Sequence, residues 1–143
     1  MHVNKLLVRQ VMTPQVITVM RTDTMEQVGN LFQKHNIHHI PVLDHDNKLI
    51  GLVSKSDYLQ MLHGKTLFRT PNLDQYNQVI MKTTLVKDIM VEDVVAIDPD
   101  RPIAEAIHLF RKNLFRALPV VTEGKLIGIL TPYDLMSDHP APK

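Results

Sequence analysis

The 143-residue sequence predicts a mixed α/β (α+β) fold made of two copies of one β-α-β-β-α unit. Three observations carry that reading. A shift of 78 positions lays Leu7-Val8-Arg9-Gln10-Val11-Met12 on Leu85-Val86-Lys87-Asp88-Ile89-Met90. The same shift pairs Leu31-Phe32-Gln33-Lys34 with Leu109-Phe110-Arg111-Lys112, and Ile40-Pro41-Val42 with Leu118-Pro119-Val120. Within each copy, short β-branched runs alternate with apolar residues at helical spacing. Each copy also ends alike: Lys48-Leu49-Ile50-Gly51-Leu52-Val53-Ser54-Lys55-Ser56-Asp57 returns as Lys125-Leu126-Ile127-Gly128-Ile129-Leu130-Thr131-Pro132-Tyr133-Asp134, one residue having been lost from the second turn. This is a tandem duplication, and two copies are too few for a solenoid.

The elements follow in order. Val16-Ile17-Thr18-Val19 and Val94-Val95-Ala96-Ile97 read as short strands. A helix comes next, capped by Asp23 or Thr24, with Met25, Val28, Leu31 and Phe32 as its apolar stripe. Ile103, Ala106, Ile107 and Phe110 repeat the stripe, and Pro102 suits the first turn. Ile40-Pro41-Val42-Leu43 is a strand whose proline marks its start or an edge. Asp44-His45-Asp46-Asn47 and Glu123-Gly124 carry hairpin turn chemistry. Leu49 to Val53 is the next strand, and a helix runs from about Ser54 through Leu62.

Unit one therefore covers residues 1–62 and unit two residues 85–138. Residues 63–84 form a linker: Gly64 stops a helix, Thr70-Pro71-Asn72 turns, and Leu73, Tyr76, Val79 and Ile80 are spaced as a linker helix. Residues 139–143 form a flexible tail. A unit of this size is marginal alone, so two units sharing buried sheet faces make the expected core.

Composition narrows the function. Hydrophobic residues make up 44% and charged residues 22%, which suits a globular protein. With 5% aromatics and no tryptophan, the core must be Leu, Ile, Val and Met, and Met12, Met61, Met81 and Met90 read as core or interface filling. A net charge of +1 gives no electrostatic case for nucleic acid or an anionic membrane. The absence of cysteine excludes disulfides, thiolate zinc sites and cysteine nucleophiles. No apolar run approaches the roughly 20 residues that span a bilayer. Met1-His2-Val3-Asn4-Lys5 lacks a signal peptide's apolar core, so a cytoplasmic location is expected.

The chemistry-bearing pattern is a hydroxyl residue with an aspartate three positions on: Ser54-x-x-Asp57 and Thr131-x-x-Asp134. At a helix start, free backbone N–H groups and a partial positive charge suit an anion. An adjacent aspartate can accept hydrogen bonds from hydroxyls such as those of a ribose. The same spacing is also an ordinary helix cap, and duplication copies a cap as faithfully as a site. No metal site is predicted from His35, His38, His39 and His45, because extended neighbours such as His38 and His39 point to opposite faces. No catalytic residue is predicted either. Ser54 and Ser56 lack a nucleophile-elbow context, and no glycine-rich phosphate loop is present.

Taken together, Val11-Met12-Thr13-Pro14, Val16-Ile17-Thr18-Val19, His38-His39-Ile40-Pro41-Val42 and Gly51-Leu52-Val53-Ser54-Lys55-Ser56-Asp57 resemble a cystathionine-β-synthase-type (CBS) domain. The second copy is similar through Asp88-Ile89-Met90, Arg116-Ala117-Leu118-Pro119-Val120 and Gly128-Ile129-Leu130-Thr131-Pro132-Tyr133-Asp134. Nearly the whole chain thus resembles a tandem CBS pair, or Bateman module. The resemblance implies two βαββα units packed sheet to sheet around a pseudo-twofold axis. It also implies adenine nucleotides (AMP, ADP or ATP) or adenosyl compounds such as S-adenosylmethionine bound in clefts between the units.

Carried onto this chain, site one would use Thr18, His38, Ser54 and Asp57, and site two Ala96, Arg116, Thr131 and Asp134. Two departures make the sites unequal. His38 is a weaker phosphate partner than Arg116, and Ala96 lacks the hydroxyl of Thr18. The function implied is a regulatory ligand sensor that is not an enzyme and acts by ligand-linked conformational bias. A homodimer is expected, with Leu59, Met61, Leu62, Leu135 and Met136 available for an interface or for the core. The alternative is a ligand-free scaffold that dimerises and docks onto a partner enzyme or transporter.

Overall fold

Thr24 shows how closely local sequence sets the elements. Its hydroxyl accepts from the Gln27 amide at 3.3 Å, while Gln27 Oε1 accepts from the Thr24 amide at 2.8 Å. That reciprocal cap starts the first long helix, and Asp23 instead accepts from the Met20 amide at 2.7 Å. The computed structural model describes residues 5–63, 73–113 and 115–136, with the side chains of 73–77 and 113 excepted.

The element order is α1 (Val8–Val11), β1 (Val19–Met20), α2 (Met25–Lys34), β2 (His39–Leu43), β3 (Leu49–Ser54), α3 (Lys55–His63), α4 (Leu73–Thr83), α5 (Val86–Ile89), α6 (Ile103–Asn113), β4 (Leu118–Thr122), β5 (Lys125–Leu130) and α7 (Pro132–Met136). Mixed helix and strand, in this order, is the α+β class expected. The expected turn residues Gly64 and Thr70-Pro71-Asn72, and the tail 139–143, lie outside the described residues.

Spatial contacts divide the chain differently from the repeat. One compact unit gathers Met1–Val16, Asn47–Leu49 and Val94–Lys143, and the other Ile17–Asp46 and Ile50–Asp93. The opening segment of each repeat therefore packs with the body of the other. In the first unit, Val8 and Val11 of α1 are buried with Ile97, Ile103, Phe110 and Leu118. In the second, Val86 of α5 and Met81 of α4 are buried with Met25, Val28, Phe32 and Val53.

The helices α1 and α5 were not expected as elements. Each spans four residues, too few to show a period or to be stable alone. Loop carbonyls hold them in place. The Val8 and Arg9 amides donate to Arg101 and Pro99 at 2.9 Å, and those of Val86 and Lys87 donate to Asp23 and Arg21 at 2.8 and 3.0 Å. Donors left over at a helix start are thereby satisfied by another part of the fold.

The sheets are small. In the second unit the order is β1-β2-β3, with β1 parallel to β2 and Val19 opposite Val42. In the first, β4 and β5 are antiparallel from Leu118–Leu130 to Thr122–Lys125, and Ile97 makes one parallel bridge to Val120. Glu123 and Gly124 both have positive φ, 53° and 80°, the backbone of a tight type I′ hairpin turn.

The first strands are shorter than expected: Val16, Ile17 and Thr18 lie outside β1, and Val94, Val95 and Ala96 outside any strand. Proline supplies the reason. The Ile97 amide donates to the Pro119 carbonyl at 2.9 Å, and the Val121 amide to the Ile97 carbonyl at 3.0 Å. The amide position of Pro119 faces the same neighbour, and having no N–H it cannot continue the ladder toward Val95. Pro41 stands in the same relation to the Val19–Val42 pair. Both prolines lie inside their strands, not at the start, at the point where this ladder ends.

Of the expected stripes in α2 and α6, Met25, Val28, Phe32, Ile103, Ala106 and Phe110 are buried, and Leu31 and Ile107 are half-buried. Pro102 sits just ahead of α6, bridged to Leu7. Arg101 Nε and Nη2 lie 2.6 and 3.1 Å from Glu105, which pushes the guanidinium above its usual pKa through the hydrogen bond and the charge. Among the described side chains of α4 Met81 is buried, whereas Val79, expected in the stripe, is 59% exposed. Leu73 and Tyr76 have side chains outside the description.

Val8 is fully buried, so Val8→Ala removes two methyl groups' worth of packing and leaves a cavity. The expected cost is about 2 kcal/mol in denaturant unfolding. Amide exchange should rise in α6, β4 and β5 more than in β2 and β3. The reverse order would contradict the exchanged packing of the opening segments.

Candidate functional site

The first candidate site forms where β3 runs into α3. Ser54 Oγ accepts from the Asp57 amide at 2.9 Å, and the His38 carbonyl accepts from the Lys55 amide at 2.8 Å. The Ser56 amide, next in the first turn, has no acceptor outside the helix among the described residues. The half-buried Asp57 carboxylate likewise has no hydrogen-bond or ion-pair partner among the described residues. A capped helix start thus leaves one N–H and one half-buried carboxylate unengaged among the described residues, with the exposed His38 tied to the same turn by its backbone carbonyl.

Thr18 precedes Val19, which pairs with Val42, so it stands level with Pro41 on the neighbouring strand. No hydrogen bond joins it to His38, Ser54 or Asp57 among the described residues. All four expected residues fall in one compact unit, but the structure ties together only His38, by its backbone, Ser54 and Asp57.

The second candidate site, between β5 and α7, is wired differently. Asp134 Oδ2 accepts from the Thr131 amide at 2.9 Å and from Thr131 Oγ1 at 3.3 Å. The Asp134 amide in turn donates to the Thr131 carbonyl at 3.0 Å and to its hydroxyl at 3.4 Å. A third residue joins them: Thr13 Oγ1 donates to Asp134 Oδ1 at 3.2 Å. Pro132 replaces Lys55 and has no amide to give, so the tether that His38 receives cannot form at Arg116. Arg116 is exposed, its guanidinium without a partner among the described residues, and Ala96 precedes the Ile97 bridge.

Backbone pairing puts Thr13 there. Its amide and carbonyl exchange hydrogen bonds with Ile129, both at 2.9 Å. Met12 lies over Gly128, where an added Cβ would stand 2.5 Å from its sulfur and 3.1 Å from the Thr13 carbonyl oxygen. Leu52 and Val91 make the equivalent pair at 3.0 and 2.9 Å, with Met90 over Gly51. Val91 occupies the place of Thr13 but offers no hydroxyl.

The sequence matches the CBS domain over residues 8–64 and 86–138. The chain belongs to the CBS-domain family. An uncharacterized protein of Methanocaldococcus jannaschii is 31% identical over 92% of this CBS chain and 89% of its own length. An inosine-5'-monophosphate dehydrogenase of the same organism is 30% identical over 94% of this chain, which corresponds to 24% of that enzyme. Among solved structures, CBSX2 in complex with AMP superposes with a TM-score of 0.73 at 27% identity, covering 91% of this chain and 93% of its own.

Thr13, Val91, Pro132 and the Ser56 amide, unengaged among the described residues, are site features that the motifs alone did not reveal. Thr13 was visible in Met12-Thr13-Pro14, but its partner lies 121 residues away. Among the described residues no group of three or more His, Asp or Glu gathers where a metal ion could sit. No helix among them is long and apolar enough to cross a membrane.

The wiring separates the two aspartates in the absence of any ligand. Asp134→Ala removes a helix cap and the Thr13 contact, and should cost about 1 kcal/mol in ligand-free melting. Asp57→Ala removes no side-chain bond to the described residues and should leave melting within about 0.5 kcal/mol of the parent. Equal losses for the two would show that the aspartates play the same structural role.

Proposed function

We propose that this CBS chain is a regulatory module that senses an adenine nucleotide or related adenosyl compound and changes no bond. The observation that carries the reading is the start of α3, where the Asp57 carboxylate and the Ser56 amide stand unengaged among the described residues, next to the backbone tether of His38. A ribose diol needs a carboxylate acceptor and a phosphate needs N–H donors and a cation, and this turn offers the first two. The likeness to CBSX2, solved with AMP, supports the choice of ligand class.

In this reading Thr18, His38, Ser54 and Asp57 line the first position, and Ala96, Arg116, Thr131 and Asp134 the second. Ser54 and Thr131 cap their helices and orient the turn, Asp57 and Asp134 meet the ribose, and Arg116 meets phosphate in the second position. Binding favours one arrangement of the chain over another, and the output is set by the difference in affinity between them. Homodimerisation through helix residues belongs to the same proposal. Met61, Leu62 and Leu135 pack onto the cores, which leaves Leu59 and Met136, 37% and 83% exposed, for an interface.

Thermal melting with AMP, ADP, ATP and S-adenosylmethionine tests the reading. A ligand at about 100 times its dissociation constant stabilises by about 2.7 kcal/mol. At least one of the four should raise the melting temperature, and Asp57→Ala should reduce the shift. No shift with any of them at millimolar concentration would leave the ligand-free docking scaffold as the better account.

A further inference from the structure

Duplicated helix starts would be expected to offer the same carboxylate twice, and they do not. Asp57 has no side-chain partner among the described residues, whereas both oxygens of Asp134 are in use. Thr131 supplies two donors to Oδ2, and Thr13 supplies a hydroxyl to Oδ1 at 3.2 Å. That hydroxyl arrives on a backbone pinned to Ile129 by two hydrogen bonds of 2.9 Å, so its position does not depend on side-chain freedom alone.

We propose that Thr13 is a specificity-determining residue that sets the two adenosyl positions apart. Its hydroxyl takes the place on Asp134 that a ribose hydroxyl would take, so the Asp57 position fills first. This rests on the adenosyl-binding reading above. A ribose arriving at Asp57 displaces water. At Asp134 it competes with a donor tethered to the same fold, which acts at a high effective concentration. The phosphate side works the other way, since Arg116 is a better phosphate partner than His38. The order of filling therefore reports the ribose side of the site.

The two positions can be exchanged with substitutions of nearly constant shape. Thr13 is exposed and Val91 is 50% exposed, so Thr13→Val and Val91→Thr alter one hydroxyl each with little effect on packing. Calorimetric titration of the full chain with AMP should show two phases, the tighter one removed by Asp57→Ala. In the Asp57→Ala background, Thr13→Val should tighten the remaining phase about tenfold, the worth of one hydrogen bond to a charged group. In the otherwise unchanged chain, Val91→Thr should weaken the tighter phase by a similar factor, and ligand-free melting should be preserved in both.

If AMP binds but Asp57→Ala spares the tighter phase, the assignment of order is overturned. It is equally overturned if Thr13→Val weakens the second phase, which would make the hydroxyl a support for Asp134 and not a competitor. If the unaltered chain gives neither heat nor a melting shift with millimolar AMP, ADP, ATP or S-adenosylmethionine, the adenosyl reading falls and this inference falls with it.

Discussion

The pairing of each repeat's opening segment with the glycine strand of the other repeat is the constraint on which the rest of the structure depends. Thr13 exchanges backbone hydrogen bonds with Ile129, and Val91 with Leu52. Gly128 and Gly51 leave room there for Met12 and Met90, whose sulfurs a Cβ would meet at 2.5 and 2.6 Å. Any larger residue would have to displace a backbone carbonyl as well as a flexible thioether. A four-residue helix that could not exist alone precedes each of these contacts, fixed because loop carbonyls of the same compact unit take its free amides.

The candidate site is a consequence of that pairing. The strand that carries the glycine ends at Ser54 in one copy and one residue before Thr131 in the other, and the helix follows directly, so the segment fixed opposite the glycine lies close to the helix start. Which residue follows the methionine then determines what the aspartate meets. A threonine places a donor on the Asp134 carboxylate, while the valine at the matching place brings none to Asp57. One contact made for packing thereby sets the state of an acceptor three residues into the helix.

Much of this was legible in the sequence where the cause is local. The stripe Met25, Val28, Phe32 is buried in α2 as its spacing required, the Thr24 and Gln27 side chains cap as their spacing allowed, and Glu123-Gly124 adopts the positive φ values of a hairpin turn. What was not legible depends on distant partners. Neither α1 nor α5 has enough residues to show a period, and their stability comes from carbonyls supplied by loops about 90 and 60 positions away. The β-branched runs around Thr18 and Ala96 have the composition of strands, yet the ladder is cut short by a proline on the opposing strand. The hydroxyl that engages Asp134 comes from 121 residues upstream, a separation no spacing rule spans.

Duplication explains why both helix starts exist, but it does not keep them equivalent. Lys55 donates its amide to the His38 carbonyl, and at the matching place Pro132 has none to donate. Val91 is silent toward Asp57, and at the matching place Thr13 binds Asp134. Each change leaves the helix capped, because Ser54 and Thr131 still hold the amides of Asp57 and Asp134. A fold that keeps its caps under both sets of residues leaves the remaining polar groups of the turn free to diverge. The helix cap and an open carboxylate are thus separable properties of one four-residue pattern, and in the second copy the fold itself engages the carboxylate.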